Sequence, residues 1–129
     1  MVQPYLHAID DRGETKMVFI DGTFSHANRV GPLLAPGVGV MERPWETPMR
    51  VAPVRPSRAE LALASAVMAY TTDRFGVVPL YARVDVVAAN SANPVLIELE
   101  LVDPSLFLRS NPGAAATLAQ AIEREVGTR

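Results

Sequence analysis

The sequence predicts an α+β domain: an antiparallel β-sheet with two helices packed on one face and a polar, ligand-bearing face on the other. Three observations carry that expectation. Short segments of alternating polar and apolar residues recur in the first quarter of the chain and again after residue 80. Two longer segments place apolar residues at helical spacing, and a proline-rich interval separates the early strands from the first helix.

Taken in order, Val2 to Ile9 reads as a strand, Asp10-Asp11-Arg12-Gly13 as a turn and Lys16 to Asp21 as a second strand. Gly22 opens another turn before a third strand, Thr23 to Arg29. Residues 31–56 hold six of the eleven prolines, and each proline removes a ladder donor and restricts its predecessor, so this interval is expected to be an irregular loop. Long loops of this kind are usually functional lids or else disordered, which makes Trp45 and Arg50 the residues to watch. Ser57 and Glu60 fit a capping box that opens a helix. Leu61, Leu63, Ala64, Val67, Met68 and Phe75 give it an apolar stripe, and Gly76 stops it.

Leu80 to Val87 and Pro94 to Leu101 both alternate, and the turn-rich piece Ala88 to Asn93 between them makes a hairpin. Asp103-Pro104 then turns the chain, and Leu106-Phe107-Leu108 is expected to bury. Asn111-Pro112 begins a last helix running to about Glu125, with Leu118, Ala119 and Ile122 inward.

At 129 residues the chain fits one domain, 1–129. A net charge of −2 supplies no electrostatic footprint for nucleic acid or anionic lipid. There is no cysteine, so neither a disulfide framework nor a thiol nucleophile is available. No apolar run approaches bilayer-spanning length and the N-terminus lacks a basic segment followed by an apolar core, so a cytoplasmic location is the default expectation. Internal repeats, a glycine-rich phosphate loop and a nucleophile elbow are absent from the sequence.

The chemistry concentrates in the second hairpin. A turn centred between Ser91 and Ala92 places Asp85 opposite Glu98 and Arg83 opposite Glu100, so that one patch carries three acids and one base. A one-residue slip would move the whole set to the other face. Spacing leaves two readings open. Like charges across a ladder repel and call for a compensating cation, for which Mg²⁺ with carboxylate ligands is the economical choice; alternatively, the acids belong to the solvated face of an antiparallel sheet.

ARVDVV, followed by Glu98 thirteen residues after Asp85 in IELELVDPSLF, resembles the C-terminal magnesium-binding hairpin of the ATP-grasp superfamily, of the carboxylate-amine ligase, glutathione synthetase-like type. That pattern is R-x-D, then E-x-N and a proline-containing turn. QPYL, then GET-KMVFIDG and FSHA, is similar to a run in a subgroup of the same superfamily. The resemblance implies that Asp85 and Glu98 are ligands of Mg²⁺ (or Mn²⁺), that Glu100 stands where the family has asparagine, and that Arg83 faces the transferring phosphate or acyl phosphate. Glutamate at position 100 adds a negative charge, which favours the cation but leaves less neutralising charge for a triphosphate.

The resemblance further implies that Gln3 and Tyr5 flank the adenine of ATP and that Glu14 meets the ribose hydroxyls. Without it, Gln3 and Tyr5 are residues of a terminal strand and Glu14 a solvated turn residue. Arg29 is a phosphate contact by virtue of its paired guanidinium donors, or a solvated surface residue. His26 titrates near neutrality and so is a candidate acid or base, or a hydrogen-bonded structural residue.

The resemblance covers the C-terminal lobe alone, starting at the hinge between lobes. The lysine-bearing small lobe and the N-terminal domain of the usual architecture are expected outside this sequence, supplied by an adjoining chain or by sequence upstream. Two functions of different class follow. One is part of a ligase in which ATP activates a small carboxylate as an acyl phosphate that an amine or other nucleophile attacks, with the isolated chain inactive or very weak. The other is a non-catalytic remnant lobe that binds metal, nucleotide or a protein partner. An exposed cleft would favour self-association in either case.

Overall fold

The computed structural model describes residues 5–32, 50–88 and 93–127. Strand β1 (Glu14–Ile20) and strand β2 (Thr23–Val30) form the first hairpin. Asp21 and Gly22, both at positive φ (51° and 70°), make the two-residue turn whose twist matches the flanking strands. A bulge at Val18/Phe19 leaves Ser25 as an extra residue in β2, with His26 opposite Val18 and Phe24 opposite Phe19. Before them lies a short helix α1 (Ala8–Arg12), where a strand and a turn were expected. Asp10 and Asp11 in its first turn and Arg12 in its last both suit the helix dipole. It ends at Gly13, φ 65°, where a Cβ would sit 2.2 Å from the Val30 carbonyl oxygen.

Among the described residues of the expected loop 31–56, Val51–Pro53 form a short strand, β3, which pairs with β2 at the sheet edge, a place where proline is tolerated. Trp45 lies outside the described residues. Helix α2 (Arg58–Phe75) follows as expected, with both bonds of the Ser57–Glu60 capping box present and Gly76 in the left-handed conformation at its end. Strands β4 (Tyr81–Ala88) and β5 (Pro94–Glu100) form the second hairpin, and helix α3 (Ala114–Gly127) closes the chain. The sheet order is β3-β2-β1-β4-β5, antiparallel throughout, so the α+β class is as the sequence predicts.

The two long helices do not share a face. Ala64 and Met68 of α2 pack on Met17, Phe19, Ala27, Val84 and Val86. Leu118 and Ala121 of α3 pack instead on Val18 and Ile20, which point to the opposite side of β1. The cause is the apolar run Met17–Ile20, which gives this end of β1 two apolar faces and so needs cover on both. The inward stripe of α3 is accordingly Ala114, Leu118 and Ala121, while Ala119 and Ile122 face solvent, and Phe75 at the end of α2 is 62% exposed. The face opposite α2 is thus divided: α3 covers one half, and the other half carries charge.

Candidate metal and phosphate site

β4 is the second strand from one edge, and alternation sends Ala82, Val84 and Val86 toward α2 and Arg83 and Asp85 the other way. Asp85 is 0% and Arg83 6% exposed. Buried ions at these positions are tolerable only if neighbours satisfy them. The expected register across the hairpin is present, Asp85 opposite Glu98 and Arg83 opposite Glu100. A bulge beyond Asp85 leaves Ile97 unpaired and moves Leu96 opposite Val86, turning it away from the face on which Glu98 and Glu100 lie.

Arg83 grips Asp85 with two parallel bonds, Nε to Oδ1 at 2.8 Å and Nη2 to Oδ2 at 2.9 Å. The same Nη2 donates to Glu100 and lies 3.7 Å from Glu98. On the other flank, β1 pairs with β4 so that Lys16 sits opposite Asp85, and its ammonium donates to Asp85 Oδ2 while pairing with Glu14 at 2.7 Å. One carboxylate oxygen each from Asp85, Glu98 and Glu100 lies within 4.8 Å of the others. Among the described residues, four carboxylates on this face meet two cations, a formal excess of two negative charges, which equals the charge of one divalent ion.

Protonation follows from these contacts. Burial, then the carboxylates of Glu98 and Asp85, push the Glu100 carboxyl above its ordinary range against the opposing pull of Arg83. Burial works against the charge on Lys16, but its bonds to Asp85 and Glu14 prevail and raise its pKa. Arg83 is held charged in the same way by Asp85 and Glu100.

The structure brings Arg83, Asp85, Glu98 and Glu100 together, and links Glu14 to them through Lys16. Lys16 is a member that sequence reasoning missed; the β1–β4 pairing that places it there spans 69 residues of sequence. Tyr5 is exposed, with its hydroxyl donating to Asp10 Oδ1 at 2.7 Å, away from the cluster's contacts. Arg29 lies on the α2 side, where it donates to the Arg12 carbonyl at 3.2 Å and pairs with Glu60 at 3.7 Å. Gln3 falls outside the described residues.

His26 and Asn28 share the charged face, further along the sheet. His26 accepts at Nδ1 from the Ser25 hydroxyl, 2.9 Å, and donates from Nε2 to the Leu106 carbonyl, 2.8 Å. Burial lowers its pKa, opposed by the bond to Leu106, so the neutral ring is favoured.

No protein-family model matches the chain. In sequence it is 34% identical over 124 residues to the cycloserine biosynthesis protein DcsG of Streptomyces lavendulae, an alignment covering 95% of this chain and 40% of that protein. The crystal structure of D-cycloserine synthetase DcsG matches with a TM-score of 0.85 at 30% identity, covering 96% of this chain and 41% of that one. The ATP-grasp ligase PsnB complexed with minimal precursor matches at TM-score 0.52 and 14% identity over 90% of this chain and 35% of its own. The macrocyclase MdnC, bound with precursor peptide MdnA from Microcystis aeruginosa MRC, matches at 0.51 and 14% over 90% and 33%. At that identity the last two show a shared fold. The chain spans about 40% of the length of the curated relative it matches.

Proposed function

We propose that this chain is a C-terminal lobe of an ATP-grasp ligase, as its likeness to DcsG in sequence and structure supports, and that it serves as the metal- and phosphate-binding part of an enzyme that activates a carboxylate as an acyl phosphate for attack by an amine or other nucleophile. The observation that carries this is the convergence of Asp85, Glu98 and Glu100, with a formal excess of two negative charges on that face among the described residues. A solvated face does not require three carboxylates to converge, least of all with one of them fully buried.

Phosphoryl transfer asks for positioning and charge neutralisation rather than covalent chemistry from the protein. Asp85, Glu98 and Glu100 would hold Mg²⁺ or Mn²⁺, and the ion would supply neutralising charge to the phosphate oxygens of ATP. Arg83 presents a planar fork already fixed by Asp85, so it can stabilise a developing anion with little reorganisation. Lys16 donates to Asp85 Oδ2 and so holds that carboxylate in its orientation. Glu14 is proposed to contact the ribose, with Gln3 and Tyr5 on the adenine side. Arg29 would have to exchange the Arg12 carbonyl and Glu60 for phosphate.

Calorimetric titration with Mn²⁺ tests the core of this proposal. The wild-type chain is expected to bind one ion, and Asp85→Asn with Glu98→Gln to lose that binding. Unchanged Mn²⁺ affinity in the double variant would remove these residues as ligands. The chain spans about 40% of the length of the relative it matches, and by itself it is expected to release no ADP from ATP and a small carboxylate.

A further inference from the structure

Between β5 and α3 the chain crosses the charged face as a strap, Leu106 to Asn111, which contains a short 3-10 turn at Leu108–Ser110. Leu106 packs on Val18 and Ile20 of β1, and among the described residues the strap's hydrogen bonds to the sheet run to β2. His26 donates to the Leu106 carbonyl, and Asn28 Oδ1 accepts from the Ser110 hydroxyl at 3.0 Å and from Asn111 Nδ2 at 3.4 Å. Between those anchors Phe107 has φ 50°, a left-handed conformation unfavourable for a bulky side chain. Two N–H donors converge on its carbonyl and hold it there, the Ser110 backbone at 3.1 Å and Asn111 Nδ2 at 3.1 Å, and the single hydrogen of the Ser110 hydroxyl, 2.9 Å away, is shared between this carbonyl and Asn28 Oδ1. The result is that the Phe107 ring lies against Arg83, its centroid 5.9 Å from the guanidinium carbon.

A connection with no further duty would not need a strained aromatic residue, nor the fully buried Asn28, whose Nδ2 has no hydrogen-bond partner among the described residues. Apolar contact between sheet and strap would hold the chain down without either feature. We propose that His26 and Asn28 are positioning residues: they fix the strap so that Phe107 packs on the Arg83 guanidinium, shields the Arg83–Asp85 pair from water and sets the direction in which Arg83 presents its remaining donors. This rests on the proposed phosphate role of Arg83 for its meaning, but the coupling from β2 through the strap to Arg83 is a property of the isolated chain.

The Nε–H of Arg83, donated to Asp85, reports that coupling by ¹⁵N NMR as its rate of exchange with solvent. His26→Leu and Asn28→Ala are expected to speed that exchange about tenfold, and His26→Gln, which keeps a donor for the Leu106 carbonyl, to restore it within about twofold. Phe107→Leu leaves every backbone anchor in place and should speed exchange as well, which covers the case in which His26→Leu does not fold. Strap variants that lower the melting temperature while Arg83 exchange stays at the wild-type rate would overturn the proposal and leave the strap a purely structural connection. Mn²⁺ titration of Asp85→Asn separates the two ideas. Unchanged metal affinity there, with Arg83 still responding to the strap, sinks the metal assignment alone; lost affinity with an unresponsive Arg83 sinks the positioning role alone.

Discussion

The two faces of one sheet are built from the same strands and obey opposite rules. Toward α2, Met17, Phe19, Ala27, Val84 and Val86 fill a core in which each side chain is replaceable by another of similar volume. On the other face, residues one position away on the same strands are Lys16, Arg83 and Asp85, nearly as buried and bound by direction as well as by shape. Burial alone therefore does not distinguish core from site; what distinguishes them is whether removing an atom leaves a hole or an unanswered charge.

The largest effect should come from Asp85→Ala. Arg83 and Lys16 would lose their shared partner while still largely withdrawn from water, a loss of about 3–5 kcal/mol in unfolding free energy. Met17→Ala, one residue from Lys16 but facing α2, should cost about 2–5 kcal/mol through the cavity it leaves. Urea denaturation measures both, and Mn²⁺ binding separates them: at a urea-free temperature where each is folded, only the first should have lost the ion. Equal metal affinity in the two variants would erase the distinction between faces. Ser57→Ala removes one half of the capping box of α2 and should cost about 1 kcal/mol with no change in metal affinity. Glu98, half exposed in its side chain, supplies the sharpest contrast: Glu98→Gln should change stability by less than about 0.5 kcal/mol and still weaken Mn²⁺ binding.

What could be read from the sequence divides along the same line. The capping box of Ser57 and Glu60 and the pairing of Asp85 with Glu98 were legible because each depends on residues close in the chain. Lys16 was not, because nothing local says that β1 lies against β4; a lone lysine in an alternating strand looks like any solvated residue until the pairing is known. The expected single helical face failed for a related reason. The apolar run Met17–Ile20 signals burial on both faces, yet which later segment supplies the second cover depends on where the chain goes after β5. Short α1 was hidden by Asp10-Asp11-Arg12-Gly13, whose composition suits a turn as well as a five-residue helix.

The smallest effect expected is a pH dependence at the anchor of the strap. Burial holds His26 below its ordinary pKa of 6.5; the neutral ring accepts from Ser25 at Nδ1, and protonation would oblige the Ser25 hydroxyl to turn and accept instead. In the unfolded chain the same ring titrates normally. As pH falls through about 6.5 the unfolded state gains a proton that the folded state still refuses, so stability present above that pH is lost until the lower folded pKa is passed. Glu100, raised by burial and by Glu98, contributes the opposite sign in the carboxylate range, and it does so equally in a His26→Gln chain. Melting temperatures of the two proteins, compared from about pH 7.5 down to about pH 5.5, should therefore show the wild type falling further than His26→Gln. Parallel curves would mean that the folded ring takes up its proton as readily as a solvated one, and that the strap is not held to β2 by a neutral imidazole.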